Sequence, residues 1–325
     1  MKVLVLHSDI AADAPPEEID TITSAKAVAE ALEKHGHQAP LAPFTTDPDK
    51  LRALLAREKA DLVFNMVEGI DGIGHLAPIA PRMLDEAGIP FTGVDAIAMA
   101  VTSDKPLTKR RMRDAGIGTA DWAEGPDWQG LTDKKYIVKS TLEDASVGLD
   151  DGCVVFGAEA AKRRAAESER IHGGRWFAEE YIDGREYNIS MMAGPDGEPI
   201  VMPLAEMRFD GWPSDKPRIV GYDAKWIELD INDQMVRDFD TDTRDPLLAA
   251  KLRKSCIGVW KLFGFKGYVR VDFRVTPEGE PLVLEINTNP CIAPDAGFAA
   301  AGEQLGIPYD QLIVRIVDTA LAAAR

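Results

Sequence analysis

The sequence predicts an α/β protein whose C-terminal half turns to α+β. Three observations predict it. Short apolar strands alternate with amphipathic helices over the first 95 residues, the pattern of a parallel sheet flanked by helices. Two strand–turn–strand segments follow, Trp176–Met192 around Asp183-Gly184 and Gly267–Pro290 around Thr276–Glu280, and both read as antiparallel hairpins. At 325 residues, 45% apolar and 28% charged, the chain has the make-up of a soluble globular protein with room for two or three domains.

Taken in order, Lys2–Leu6 is a buried strand and a helix is expected from about Thr23 to His35, closed by Gly36. A second helix starts at Asp47-Pro48, an N-cap followed by proline, and buries Leu51, Leu54 and Leu55. Asp61–Val67 is the next strand. The glycines of Gly69–Gly74 have the wrong spacing for a dinucleotide fingerprint, so a tight strand-to-helix turn is expected there. Beyond it, His75 reads as a satisfied structural histidine. Ser103-Asp104 caps a helix ending at Gly116, whose basic residues Lys105, Lys109, Arg110, Arg111 and Arg113 should mostly face solvent. Tyr136–Lys139 is a strand ending in lysine, followed by the small, polar loop Ser140–Gly148, whose backbone N–H groups suit phosphate oxygens. Arg208–Arg218 lacks apolar periodicity and reads as a long loop.

Charge and cysteine content exclude several functions. The net charge of −17 argues against nucleic acid or an anionic membrane as partner. Cys153, Cys256 and Cys291 form no CxxC pair, so neither a disulfide framework nor a zinc site is indicated. The N-terminus lacks a signal-peptide pattern and no apolar run reaches membrane-spanning length, which makes a cytoplasmic location the expectation.

The Gly267–Pro290 hairpin carries the chemistry. Side chains alternate along a strand, so Arg270 and Asp272 share one face, as do Glu285 and Asn287. Val269, Val271, Phe273, Leu284 and Ile286 are expected to face a core. Asp272, Glu285 and Asn287 offer three oxygen donors, a set suited to a hard cation with phosphate completing its shell. An ordinary solvent-facing hairpin explains the same pattern equally well.

The Arg-x-Asp-Phe strand at 270–273 and the Leu-Glu-Ile-Asn-Thr-x-Pro segment at 284–290 resemble the metal-binding end of the ATP-grasp ligases, above all the D-alanine–D-alanine ligase branch. The similarity runs from about Asp61 to Pro290. It implies a three-domain ATP-grasp architecture: an N-terminal α/β domain over 1–95, a central subdomain with the phosphate loop over 96–178, and a metal-bearing subdomain over 179–325. It also implies an ADP-forming carboxylate–amine ligase working through an acyl phosphate. ATP and Mg²⁺, with Mn²⁺ as the alternative, small carboxylate and amine substrates, and a homodimer come with it. By position, Lys105, Lys139 and Lys225 would contact phosphate, with Ser146 in the phosphate loop. Glu179, Tyr181 and Ile182 would line the adenine pocket, largely through backbone groups, and Glu186 would accept the ribose hydroxyls. Asp272, Glu285 and Asn287 would hold the metal. Arg270 would stabilise the acyl phosphate and oxyanion, helped by the Cys291 N–H.

The departures from that family fall in the amino-acid pockets. Ala145 replaces a linking serine, Trp226 a tyrosine and Asn65 a histidine, while Glu17 is a loose match to a glutamate. Ala296 replaces the serine that binds the acceptor carboxylate, and Cys291 stands where glycine is usual. Losing hydroxyl contacts in a site built on them changes selectivity strongly, so a ligase with amino-acid-type substrates other than two D-alanines is expected. The alternatives are a D-alanine–D-alanine ligase with divergent pockets and a non-catalytic ATP-binding regulator. Cys291 as a nucleophile is a poor reading, since no histidine lies near it in sequence.

Overall fold

A computed structural model describes residues 1–11, 14, 16–143, 148–213, 216–219 and 235–324. Three sheets organise them. The first is parallel, in the order β2-β1-β3, from β1 (Val3–His7), β2 (Leu41–Pro43) and β3 (Leu62–Met66). Strand β3 is buried along its whole length, as a parallel strand covered on both faces must be. Helix α1 (Pro16–Lys34) starts earlier than the apolar pattern suggested. Helix α2 (Pro48–Glu58) begins as expected, the Asp47 carboxylate accepting from the N–H groups of Asp49 and Lys50.

After β3, Gly69–Gly74 leads first into a single 3₁₀ turn, Gly74–Leu76, and only then into α3 (Ile79–Glu86). Two short helices follow, α4 (Ala96–Ser103) and α5 (Lys105–Asp114), with Asp104 capping α5 through the Leu107 N–H. The second sheet is antiparallel, β4 (Trp122–Glu124), β7 (Trp176–Glu180), β5 (Lys135–Ser140) and β6 (Val154–Phe156) in that order. Helix α6 (Ala158–His172) covers one face through Ala161 and Ala165.

The third sheet holds the hairpin. Its order is β11 (Met235–Asp238), β10 (Glu206–Phe209), β8 (Arg185–Ala193), β12 (Tyr268–Val275) and β13 (Pro281–Asn287), with β9 (Pro199–Val201) also on β8. Its start at Glu206 shows that the segment read as a loop from Arg208 is strand at its outset. The short α7 (Thr241–Arg244) leads to α8 (Pro246–Phe263), which packs Leu252, Cys256, Val259 and Trp260 under Val269, Val271 and Phe273. The chain then forms α9 (Gly297–Gln304) and α10 (Tyr309–Ala323). Helix α10 returns to the first sheet, where Leu312, Ile316 and Val317 join Val3, Val28 and Phe64 in one core that also takes in Tyr268. The uncovered face of the third sheet looks into a cavity of about 680 Å³, walled by the second and third sheets and by the loops that follow β1 and β3.

The hairpin departs from the sequence reading at one point. The pairing of β12 with β13 slips between Asp272 and Phe273: Asp272 faces Glu285, but Phe273 faces Val283. Such a bulge puts an extra residue into one strand and re-aims its side chains. Leu284, expected in the core, therefore lines the cavity, and Val283 is the buried residue instead.

Candidate active site

Register brings the polar residues of three strands together. Arg270 pairs with Asn287 on one side and Ser190 on the other; Asp272 pairs with Glu285 and Asn188; Arg274 pairs with Glu186. All lie on the face toward the cavity. Asp272 is buried and grips Arg270 through two parallel bonds, Nε–Oδ1 and Nη2–Oδ2, each 2.8 Å, the bidentate geometry that makes such pairs strong. Burial works against the Arg270 charge, yet the Asp272 carboxylate outweighs it and keeps the guanidinium firmly protonated. The Asn287 amide donates to Asp272 Oδ2 at 3.1 Å, leaving its own carbonyl oxygen as an acceptor. Two carboxylates and an amide oxygen on neighbouring strands fit a hard divalent cation. Among the described residues no group of three or more His, Cys, Asp or Glu is placed to hold a metal ion by itself, so a cation here would draw further donors from a phosphate ligand.

Lys105 and Lys139 border the same cavity. Lys139, near the end of β5, bonds Glu179 Oε2 at 3.1 Å. Lys105, at the start of α5, donates to the Glu143 carbonyl at 2.8 Å. Glu143 also reaches the loop after β3, accepting from the Gly74 N–H at 2.9 Å and pairing with His75 Nδ1 at 2.6 Å, so His75 is a satisfied histidine as expected. Lys109 departs from the solvated-face expectation for α5. It is 1% exposed, 3.1 Å from Glu179 Oε1 and 2.7 Å from Thr119 Oγ1. Glu179, itself fully buried, thus holds two lysines, and its side chain is committed to them rather than to a base.

The chain turning from β7 to β8 borders the cavity through Tyr181, Ile182 and Glu186. The Tyr181 N–H is taken by the Lys135 carbonyl at 2.9 Å, so Tyr181 has no amide donor to offer a base. Its hydroxyl accepts from the Arg218 N–H at 3.1 Å. Glu186 is held by Arg274 at 2.7 Å, and Arg274 also bonds the carbonyls of Gly184 and Arg218. The far end of the Arg208–Arg218 segment is therefore pinned over this corner, with Ile219 packed on Ile137 and Cys153.

An acidic group borders the same cavity. Asn65, expected near a substrate, is buried at 2% exposure and its side-chain oxygen accepts from the Val67 N–H. It does not border the cavity. The strand delivers Glu68 instead, with its N–H on Ser8 Oγ at 3.1 Å. Solvent reaches Glu68 through the cleft, but the surrounding protein and the charge of Asp20 raise its carboxyl to about 7. Burial and the charge of Asp295 likewise push Asp20 up. Cys291 donates weakly to Asp20 Oδ2 at 3.9 Å, and burial raises its thiol to about 11, so it is no thiolate at neutral pH. Ala296 borders the cavity beside Gly297. Lys225, Trp226, Ala145 and Ser146 lie outside the described residues, as does the side chain of Glu17.

Several cavity residues were absent from the sequence reading. Arg274 continues the two-residue period of Arg270 and Asp272 and was legible on that ground; Asn188 follows Glu186 in the same way. Glu68, Asp20 and Arg237 carry no motif and meet only in the folded chain.

The D-ala D-ala ligase C-terminus family matches residues 132–318. D-alanine–D-alanine ligase of Aquifex aeolicus is 29% identical over 310 residues, 91% of this chain and 94% of its own length. That of Moorella thermoacetica is 29% identical over 319 residues, 93% and 94% of the two chains. The crystal structure of D-alanine–D-alanine ligase from Bacillus anthracis complexed with ATP superposes with a TM-score of 0.74 at 18% identity, covering 100% of this chain and 98% of that one. The Coxiella burnetii enzyme gives 0.73 at 21%, covering 100% and 96%. At such identities the structures establish the shared fold. The chain belongs to the D-ala D-ala ligase family with its ATP-grasp fold, and this class is that of ATP-dependent ligases forming C–N bonds.

Proposed function

We propose that the protein joins a small carboxylate to an amine at the expense of ATP, through an acyl phosphate, with amino-acid-type substrates other than two D-alanines. The observation that carries this reading is the contrast between two sets of residues around one cavity. Lys105, Lys139, Arg270, Asp272, Glu285 and Asn287, the set that resemblance gives to phosphate and cation, all border it, whereas Glu68, Asp20, Cys291 and Ala296 border it with the family's glycine and serine replaced at 291 and 296. The names of the relatives favour the second reading, a D-alanine–D-alanine ligase with altered pockets.

In this reading the nucleotide lies with its base beside Tyr181 and Ile182. The Ile182 N–H is the hinge donor, since that of Tyr181 is taken. Glu186, steadied by Arg274, faces the ribose. Lys105 and Lys139 draw the phosphates in, and Lys225 and Ser146 belong to the same set by family resemblance. Asp272, Glu285 and Asn287 would hold a divalent cation, Mg²⁺ or Mn²⁺, whose charge would offset that of the phosphates. Arg270 stands where charge develops on the transferred phosphoryl group and then on the tetrahedral oxyanion. Positioned cations of this kind supply most of the acceleration in phosphoryl transfer. The substrate carboxylate attacks the γ-phosphorus and ADP leaves; the amine then attacks the acyl carbon and phosphate leaves.

The test is ADP release with Mg²⁺-ATP against D-alanine and a panel of amino acids, with the coupled product identified by mass. A product formed from a pair other than two D-alanines is expected. Efficient turnover with D-alanine alone would give the case to the second reading.

A further inference from the structure

We propose that Arg237 is the specificity residue for the amine substrate, recognising that substrate's carboxylate at the start of α9; this rests on the ligase reading above. Arg237 lies on β11, paired with Met207 of β10, and both border the cavity. Its guanidinium packs against Gly297: a Cβ at that glycine would sit in ordinary contact with it, 3.5 Å from Nε and 3.7 Å from Cζ and Nη2.

Arg237 differs from the arginines around it. Arg208 pairs with Asp238 at 3.1 Å, Arg244 with Asp238 at 2.6 Å, and Arg270 with Asp272 at 2.8 Å. Among the described residues the Arg237 side chain makes no hydrogen bond and no ion pair, although the chain carries 54 acidic residues. Its side chain is open to solvent in the cleft; the surrounding protein first, and then the charge of Arg270, lower its affinity for its proton, with Asp295 opposing in part. Two cations thus share one space, and only Arg270 has a carboxylate of its own. A planar fork left open in a cleft matches a planar two-oxygen anion.

The position decides which anion. Arg237 borders the cavity against Gly297, next to Ala296, where resemblance to the family calls for a serine hydroxyl on the acceptor carboxylate. Ala296 has no donor to offer, and α9 begins without a side-chain cap. The guanidinium replaces the missing hydroxyl and brings a full charge from another strand.

The experiment compares wild type, Arg237→Ala and Arg237→Lys in two readouts. One is calorimetric titration, with Mg²⁺-ADP present, of D-alanine and a panel of amino acids, each beside its carboxamide. The other is ADP release with the KM values for amino acid and ATP taken separately. Arg237→Ala should weaken binding of the free acid by about 10–100-fold, the scale of a charge-assisted hydrogen bond. Arg237→Lys should recover part of it, while carboxamide binding and the KM for ATP stay put. An unchanged acid affinity in Arg237→Ala, an equal loss with the carboxamide, or a parallel loss of ATP affinity overturns the assignment, as does a wild type that binds no acid. Acid binding that depends on Arg237 without any ADP release sinks the ligase reading and leaves the Arg237 assignment standing. Turnover that persists in Arg237→Ala with an unaltered acid KM does the reverse.

Discussion

At the scale of single residues, the site is a set of commitments already made within the protein. Asp272 is bound to Arg270 and Asn287, so it is aimed before any nucleotide arrives. Removing a partner that merely orients a ligand costs metal sites roughly 10–100-fold. Asp272→Asn or Glu285→Gln should therefore lose at least that much ATP turnover while keeping the wild-type circular dichroism spectrum; normal turnover would remove the cation site from the mechanism. Glu179 is a sharper case because it neutralises two lysines, one of them sealed from water. Breaking a buried ion pair from one side costs roughly 3–5 kcal/mol, since a desolvated charge is left behind. Glu179→Gln should lose stability on that scale in urea unfolding, and Lys109→Met in the same chain should restore part of it.

Glu68 gives a pH prediction with a definite sign. Its carboxyl is raised from the ordinary 4.5 to about 7 in the folded protein. The folded state then binds more protons than the unfolded state between those values, so this group's contribution falls as pH rises through the window. Glu68→Gln, which cannot ionise, should raise the melting temperature relative to wild type at pH 8 and leave it little changed near pH 4. A difference of the same size at both pH values would show that ionisation is not the cause.

Elements decide where those residues point. The strand period alone placed Arg270, Asp272, Glu285 and Asn287 on shared faces, and the register of β12 and β13 bears this out. Leu284 was misplaced because a bulge breaks the period at one position, and nothing in the local composition announces it. The turn at Asp183-Gly184 is similarly specific. A Cβ on Gly184 would lie 1.9 Å from the Val275 carbonyl oxygen, closer than any contact a packed chain tolerates. Gly184→Ala should be destabilised by the upper end of the ~1–3 kcal/mol typical of overpacking, or more, and should weaken nucleotide binding by moving Ile182. Unfolding and nucleotide titration of that variant measure both effects.

The whole molecule sets the cavity between its sheets, so a nucleotide bound there touches parts far apart in sequence. Ligand that binds only the folded state stabilises it by about 2.7 kcal/mol at a hundred times its dissociation constant. ATP with Mg²⁺ should raise the melting temperature accordingly, and Asp272→Asn should abolish the part that depends on the cation. An ATP shift indifferent to both metal and Asp272 would detach the nucleotide from this site. The path of α10 also belongs to this scale. The last helix closes the core of the first sheet, and His35 bonds Asp310 across 275 positions at 2.7 Å.

What the amino-acid order determined by itself was whatever depends on local spacing: the alternation of strand and helix, the caps at Asp47 and Asp104, the polar face of the hairpin, and the family that its motifs resemble. The folded chain alone decided what depends on distance in space. Lys109, on a helix, is buried because Glu179 meets it from a strand of the second sheet. Asn65 turns inward while Glu68 faces the cleft, and Arg237 reaches Gly297 from a strand whose sequence announces no function. Periodicity reports which side of an element a residue occupies, but the partner opposite that side is supplied by another stretch of chain, and charge and burial follow from the partner.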